Sequence, residues 1–81
     1  MTTDRTLYHV IPNLGSRSWL VILEGNNRFR LEYRTKEAAV EAATELAREQ
    51  EPSQVRVHSQ DGNVEHETSY GHDPRRSAEL S

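Results

Sequence analysis

The spacing of apolar side chains changes at Thr35. Upstream, in RFRLEYR (28–34), they alternate, which is the period of a strand with one covered face. Phe29, Leu31 and Tyr33 fall on one side and Arg28, Arg30 and Arg34 on the other. Downstream, in TKEAAVEAATELAREQ (35–50), apolar positions recur every three or four residues, the period of an amphipathic helix. The spacing predicts a helix from Lys36 to about Gln50 that stops before Pro52. Thr35 can cap it, and Glu37 sits favourably in its positive first turn. The stripe expected to face inward is Ala39, Ala42 or Ala43, Leu46 and Ala47, small residues that let a helix lie close to a sheet. Glu37, Glu41, Glu45 and Glu49 form the opposite ridge, which reads as a solubilising surface.

Four further strands follow from the same signals. LYHVIP (7–12) is rich in strand formers and ends at Pro12, which has no donor for a further ladder bond. SWLVILE (18–24) is nearly continuous in apolar residues. A Gly25–Asn26–Asn27 loop would set Glu24 opposite Arg28, Leu23 opposite Phe29, Val21 opposite Leu31 and Trp19 opposite Tyr33. That register turns Trp19, Val21 and Leu23 toward the helix; a two-residue loop would flip one strand and bury Leu20 and Ile22 instead. SQVRVHSQDGNVEHETSY (53–70) is a hairpin around Asp61–Gly62, a pair that favours a type I′ turn. The turn would place Ser59 opposite Val64, His58 opposite Glu65, Val57 opposite His66 and Arg56 opposite Glu67. The order β-β-β-α-β-β predicts an α+β fold, an antiparallel sheet of about five strands with one helix on one face. Residues 7–70 form this single domain, residues 1–6 are expected to be a flexible N-terminus, and 71–81 a polar, largely disordered tail.

Composition narrows the function classes. At 81 residues, 33% of them hydrophobic, the chain has room for one sheet-and-helix core and little for a ligand pocket. It contains no cysteine, which excludes disulfides, thiolate zinc sites and thiol nucleophiles, and suits a reducing cytoplasm. No basic segment followed by an apolar run opens the chain, and no stretch is apolar for long enough to span a bilayer. A net charge of -3 argues against a dedicated nucleic-acid binder, although the arginines of strand three are concentrated on one side.

Several segments occur together in one order: YHVIP, the tryptophan strand, TKEAAVEAATELA, DGNV and SYGHDP. This order resembles a widespread family of small bacterial proteins, the domain of unknown function 2188, from about Tyr8 to Pro74. The combination of tryptophan strand, T-K-E-x-A helix start and terminal Y-G-x-D-P is specific; each piece alone is weak. The resemblance implies a short, cytoplasmic, non-enzymatic protein and brings no catalytic chemistry. Leu20 and Ile22 depart from it, standing where small or charged residues are expected.

On the face away from the helix, two surfaces compete. Leu20 and Ile22 point outward beside His9 and Ile11, and such a contiguous apolar group suggests an interface with a second copy or another protein partner. Arg28, Arg30 and Arg34, with Arg56 of the fourth strand, could instead contact nucleic acid. Glu32, Glu65 and Glu67 interrupt that track, no stacking aromatics accompany it, and cross-strand pairs Arg56–Glu67 and His58–Glu65 would use part of it.

Catalytic and metal chemistry find little support. Ser16, Ser18, Ser53 and Ser59 lie in no nucleophile motif, and the four glycines follow no phosphate-binding pattern. The spacing of His9, His58, His66 and His72 matches no zinc pattern, His66 being expected at the rim of the inner face. The expectation is a non-catalytic cytoplasmic interaction module without cofactor, metal, small-molecule substrate or membrane association. It would self-associate or dock a protein partner, with nucleic-acid association as the alternative. A third role, blocking a larger protein, is compatible with the same residues.

Overall fold

The computed structural model describes residues 6–71. Five strands and one helix follow the expected order: β1 (Thr6–Asn13), β2 (Ser18–Leu23), β3 (Asn26–Tyr33), α1 (Lys36–Glu49), β4 (Ser53–His58) and β5 (Val64–Tyr70). The sheet order is β3-β2-β1-β4-β5, and α1 covers one face. The expected residues 1–5 and 72–81 of the N-terminus and tail lie outside the described residues.

The sheet is mixed rather than wholly antiparallel. β1–β2, β2–β3 and β4–β5 are antiparallel, but β1 and β4 run parallel, with Tyr8 beside Val55 and Val10 beside Val57. Hairpin signals specify neighbours joined by short turns and are silent on where a crossover lands. From edge strand β3 the helix passes back over β2 and β1 and delivers β4 to the open side of β1, about 14 Å across the sheet at ordinary strand spacing. Placed there, α1 lies over the middle of the sheet.

Capping sets the ends of α1. Thr35 is extended and its Oγ1 accepts from the Ala38 N–H at 3.1 Å, while the Gln50 N–H closes the last turn on the Ala47 carbonyl at 3.1 Å. Of the two inward alternatives, Ala43 is the buried one; Ala39, Ala43 and Ala47 are all fully enclosed. They meet Tyr8, Val10, Val21, Val55 and Val57 of the central strands, with Trp19, Leu23, Phe29, Tyr33, Val40, Leu46 and Tyr70 around them. Buried Ser53 joins β4 to the helix end, its Oγ donating to the Ala47 carbonyl at 2.5 Å.

Two turns differ from expectation. The β2–β3 connection has two residues, not three: Leu23 pairs with Asn26, and Gly25 takes φ +87°. The surplus residues before Arg30 bulge from β3, so Leu23 does not face Phe29, whereas Val21–Leu31 and Trp19–Tyr33 pair as expected. Phe29 still turns inward and tilts against Tyr8, ring centres 5.7 Å apart. Between β4 and β5 the loop is Gln60–Asp61–Gly62. The Gly62 N–H bonds to the Ser59 carbonyl at 3.0 Å, and the Ser59 N–H to the Asn63 carbonyl at 2.8 Å. A type I′ turn needs positive φ at both central residues, and Asp61 lacks it; Gly62, at φ +91°, alone enters the left-handed region. A three-residue loop with a glycine bulge results. It keeps Arg56–Glu67 and Val57–His66 in register and shifts His58 from Glu65 to Val64.

Candidate interaction surface

The geometry starts from the orientation of β2. Trp19 and Val21 lie against the helix side, Trp19 also beneath the Lys36 ammonium 5.8 Å from its ring centre. Period-two alternation then turns Leu20 and Ile22 to the outer face. There Ile11 sits directly opposite Leu20 and His9 directly opposite Ile22, so all four expected interface residues form two adjacent cross-strand pairs along the β1–β2 seam. Leu20 is nonetheless only 6% exposed, covered within its own chain, while His9, Ile11 and Ile22 are half-buried. The apolar strip is therefore shallow, and Ile11 and Ile22 are the members able to meet a partner.

Polar and charged groups surround this strip. Arg56 Nε donates to Glu67 Oε2 at 2.7 Å, as the register predicted, and Ser18 Oγ, for which no partner was expected, donates to Glu32 Oε2 at 2.5 Å. The expected Glu24–Arg28 pairing is absent because the two-residue turn removes its register. The Arg28 backbone N–H instead donates to Asn26 Oδ1 at 3.0 Å, and Glu24 turns to His9. The expected His58–Glu65 pair is also absent: the glycine bulge displaces Glu65, which pairs with Lys36. Arg28, Arg30 and Arg34 are exposed and, among the described residues, have no carboxylate partner.

One arrangement escaped sequence reasoning. His9 Nε2 lies 2.8 Å from Glu24 Oε1, and His9 Nδ1 lies 3.0 Å from His58 Nε2, the two rings tilted by 36°. Alternation already placed His9 and His58 on the outer face, and the missing signal was the parallel β1–β4 contact that makes them neighbours. His58 is held below the usual histidine range, first by burial, then by the nearby His9 and Arg56, while a backbone hydrogen bond at Gly62 works in the other direction. His66 is exposed and its Nε2 contacts Thr68 Oγ1 at 3.1 Å; His72 lies outside the described residues. Among the described residues, no three side chains converge as metal ligands. No described helix is long and apolar enough to cross a membrane.

These features define a small α+β domain in which a helix covers one sheet face and the other carries an apolar seam within a charged border. The chain belongs to the family described as "Uncharacterized protein conserved in bacteria (DUF2188)", which matches residues 8–70. It is similar to the "Uncharacterized protein YycD" of Bacillus subtilis (strain 168), with 35% identity over 63 residues that make up 78% of this chain and 94% of that protein. No solved structure matches the chain.

Proposed function

We propose that the protein is a non-catalytic cytoplasmic interaction module whose outer sheet face docks another protein surface, in the first instance a second copy of itself. The observation that carries this reading is the pairing of Ile11 with Leu20 and of His9 with Ile22 on the face opposite the helix. An apolar centre within a polar, charged border is the anatomy of an interface. Self-association suits the arrangement because a two-fold axis along the β1–β2 seam lays His9 and Ile11 of one copy on Leu20 and Ile22 of the other. Each contact then occurs twice. The same axis sets β4 of one copy over β3 of the other, with Arg56 level with Arg30 and His58 level with Glu32.

Ile22→Asp tests this without opening the core, since Ile22 is half-buried on the outer side whereas Leu20 is enclosed. Sedimentation equilibrium should show the wild-type chain as a dimer and the variant as a monomer with an unchanged circular dichroism spectrum. A wild-type chain that stays monomeric at high concentration removes self-association.

Arg28, Arg30 and Arg34, exposed and without a carboxylate partner among the described residues, favour a second reading, nucleic-acid association, with Arg56 less available because Glu67 holds it. Phosphate contacts would make affinity fall with salt at a log–log slope of about -0.9 per contact, whereas an apolar dimer would hardly respond. Arg28→Glu with Arg30→Glu should abolish retention on DNA at low salt. Retention that survives both changes excludes this surface.

A further inference from the structure

β3 is an edge strand: β2 pairs with one side of it, and no described strand pairs with the other. Alternate residues of such a strand turn their N–H and C=O groups away from the neighbour they already have. The Arg28 N–H is taken by the Asn26 side chain, so the open stretch runs from Phe29 to Tyr33. Its two faces carry different chemistry. Arg30, opposite Ile22, and Glu32, opposite Leu20, lie on the outer face, to which alternation also assigns the flanking Arg28 and Arg34. Leu31, opposite Val21, and Tyr33, opposite Trp19, lie on the helix side, and Phe29 turns the same way.

Both faces are left incomplete at this edge. Leu31 remains 38% exposed although its cross-strand partner Val21 is fully enclosed. Past Phe29, at the Asn26 end of the strand, an open cleft of about 480 Å3 is bounded by Tyr8, Leu23, Phe29 and Gln50. On the outer face Arg28, Arg30 and Arg34 are exposed and have no carboxylate partner among the described residues, while Glu32 accepts from Ser18. The whole chain carries a charge of -3, so this row is a local positive excess.

We propose that β3 takes up an extended acidic segment of a partner protein as a sixth strand. The site lies at the sheet edge, beyond the β1–β2 seam, and does not depend on self-association. The open backbone supplies ladder hydrogen bonds, and the two faces dictate the pattern of the incoming segment. Its outer side chains meet the arginines, which selects glutamate or aspartate. Its inner side chains lie beside Phe29, Leu31 and Tyr33, which selects aliphatic residues, and one at the Asn26 end reaches the cleft. A segment alternating between acidic and apolar residues satisfies both faces. Charges that guard an edge against basic strands attract an acidic one.

Other occupants match fewer of these features. The acidic strand of a second copy is β5, but its Glu67 is bound to Arg56 and its Glu65 to Lys36. A second β3 paired antiparallel about Leu31 sets Arg28 against Arg34. Nucleic acid would use the arginines and leave both Leu31 and the open backbone without partners.

Fluorescence anisotropy of a labelled peptide of alternating glutamate and valine, as long as β3 at 8 residues, tests this with the full chain. The peptide should bind, and Arg28→Glu with Arg30→Glu should weaken it by roughly tenfold or more. Both arginines are exposed, and an unchanged near-ultraviolet signal of Trp19 checks that the variant keeps its fold. On binding, hydrogen exchange should slow at alternate amides between Phe29 and Tyr33. A peptide of the same composition with its glutamates and valines in two blocks keeps the charge and loses the pattern, and it should bind about tenfold more weakly. Equal binding of the two peptides, or no protection in β3, overturns strand addition. So does failure of the alternating peptide where oligothymidylate binds, which would give the arginines to nucleic acid. A dimer broken by the same two changes gives the edge to a second copy and likewise overturns the proposal. Failure of the peptide alone leaves the seam reading standing, because Ile22→Asp tests that surface separately.

Discussion

Gly71 is the position where a single hydrogen matters most. Its φ is +105°, and a Cβ built there would stand 2.8 Å from the Cα of Pro52, backbone that cannot swing aside as a side chain could. Gly71→Ala should therefore destabilise the fold by about 1–3 kcal/mol, seen as a lower urea midpoint with an unchanged slope. Gly71 as a turning point was legible from residue type; its contact with Pro52, nineteen positions earlier, was not. Leu20 teaches a similar lesson. Alternation assigned its side of the sheet correctly, but its 6% exposure comes from neighbours on other strands, which no local pattern encodes.

Among the elements, α1 was the most legible, because its cap, its period and its stop before Pro52 all lie in consecutive residues. What tertiary structure added is the closeness of the contact. Ala39, Ala43 and Ala47, spaced one turn apart, are fully enclosed against the valines of β1, β2 and β4. Ala43→Leu keeps helix propensity but must separate helix from sheet, and the expected cost of about 1–3 kcal/mol should appear as a lowered melting temperature. The turns were less legible. Asp61–Gly62 signals a hairpin without choosing between a two-residue turn and a three-residue loop with a glycine bulge. That choice moved Glu65 away from His58, and the two-residue turn at Gly25 freed Glu24 for His9.

For the whole molecule, the titration of His58 couples acidity to folding. Its folded-state pKa lies below the unfolded value of about 6.5, mainly through burial, so the neutral ring belongs to the native state. The stability it contributes is fully present above the unfolded pKa and is lost as pH falls from there toward the depressed folded value, because the unfolded chain binds the proton more readily. Urea midpoints should thus decline below about pH 6.5 more steeply for the wild type than for His58→Gln. Equal declines would remove His58 as the cause. The outer face works at the same scale: its apolar seam needs β1 and β2 side by side, and its Glu24–His9–His58 chain needs β4 on the far side of β1.

By itself, the sequence determined the number and order of elements, the ends of the helix, and which side chains of each strand share a face. Those properties depend on periodicity, capping and turn residues, all interactions among near neighbours in the chain. Only the tertiary structure decided that β4 lies parallel to β1, that the two hairpin bulges reassign Glu24 and Glu65, and that His9 meets His58. The reason is that a crossover strand settles where the helix buries most apolar surface, and that optimum depends on the whole sheet rather than on any one segment.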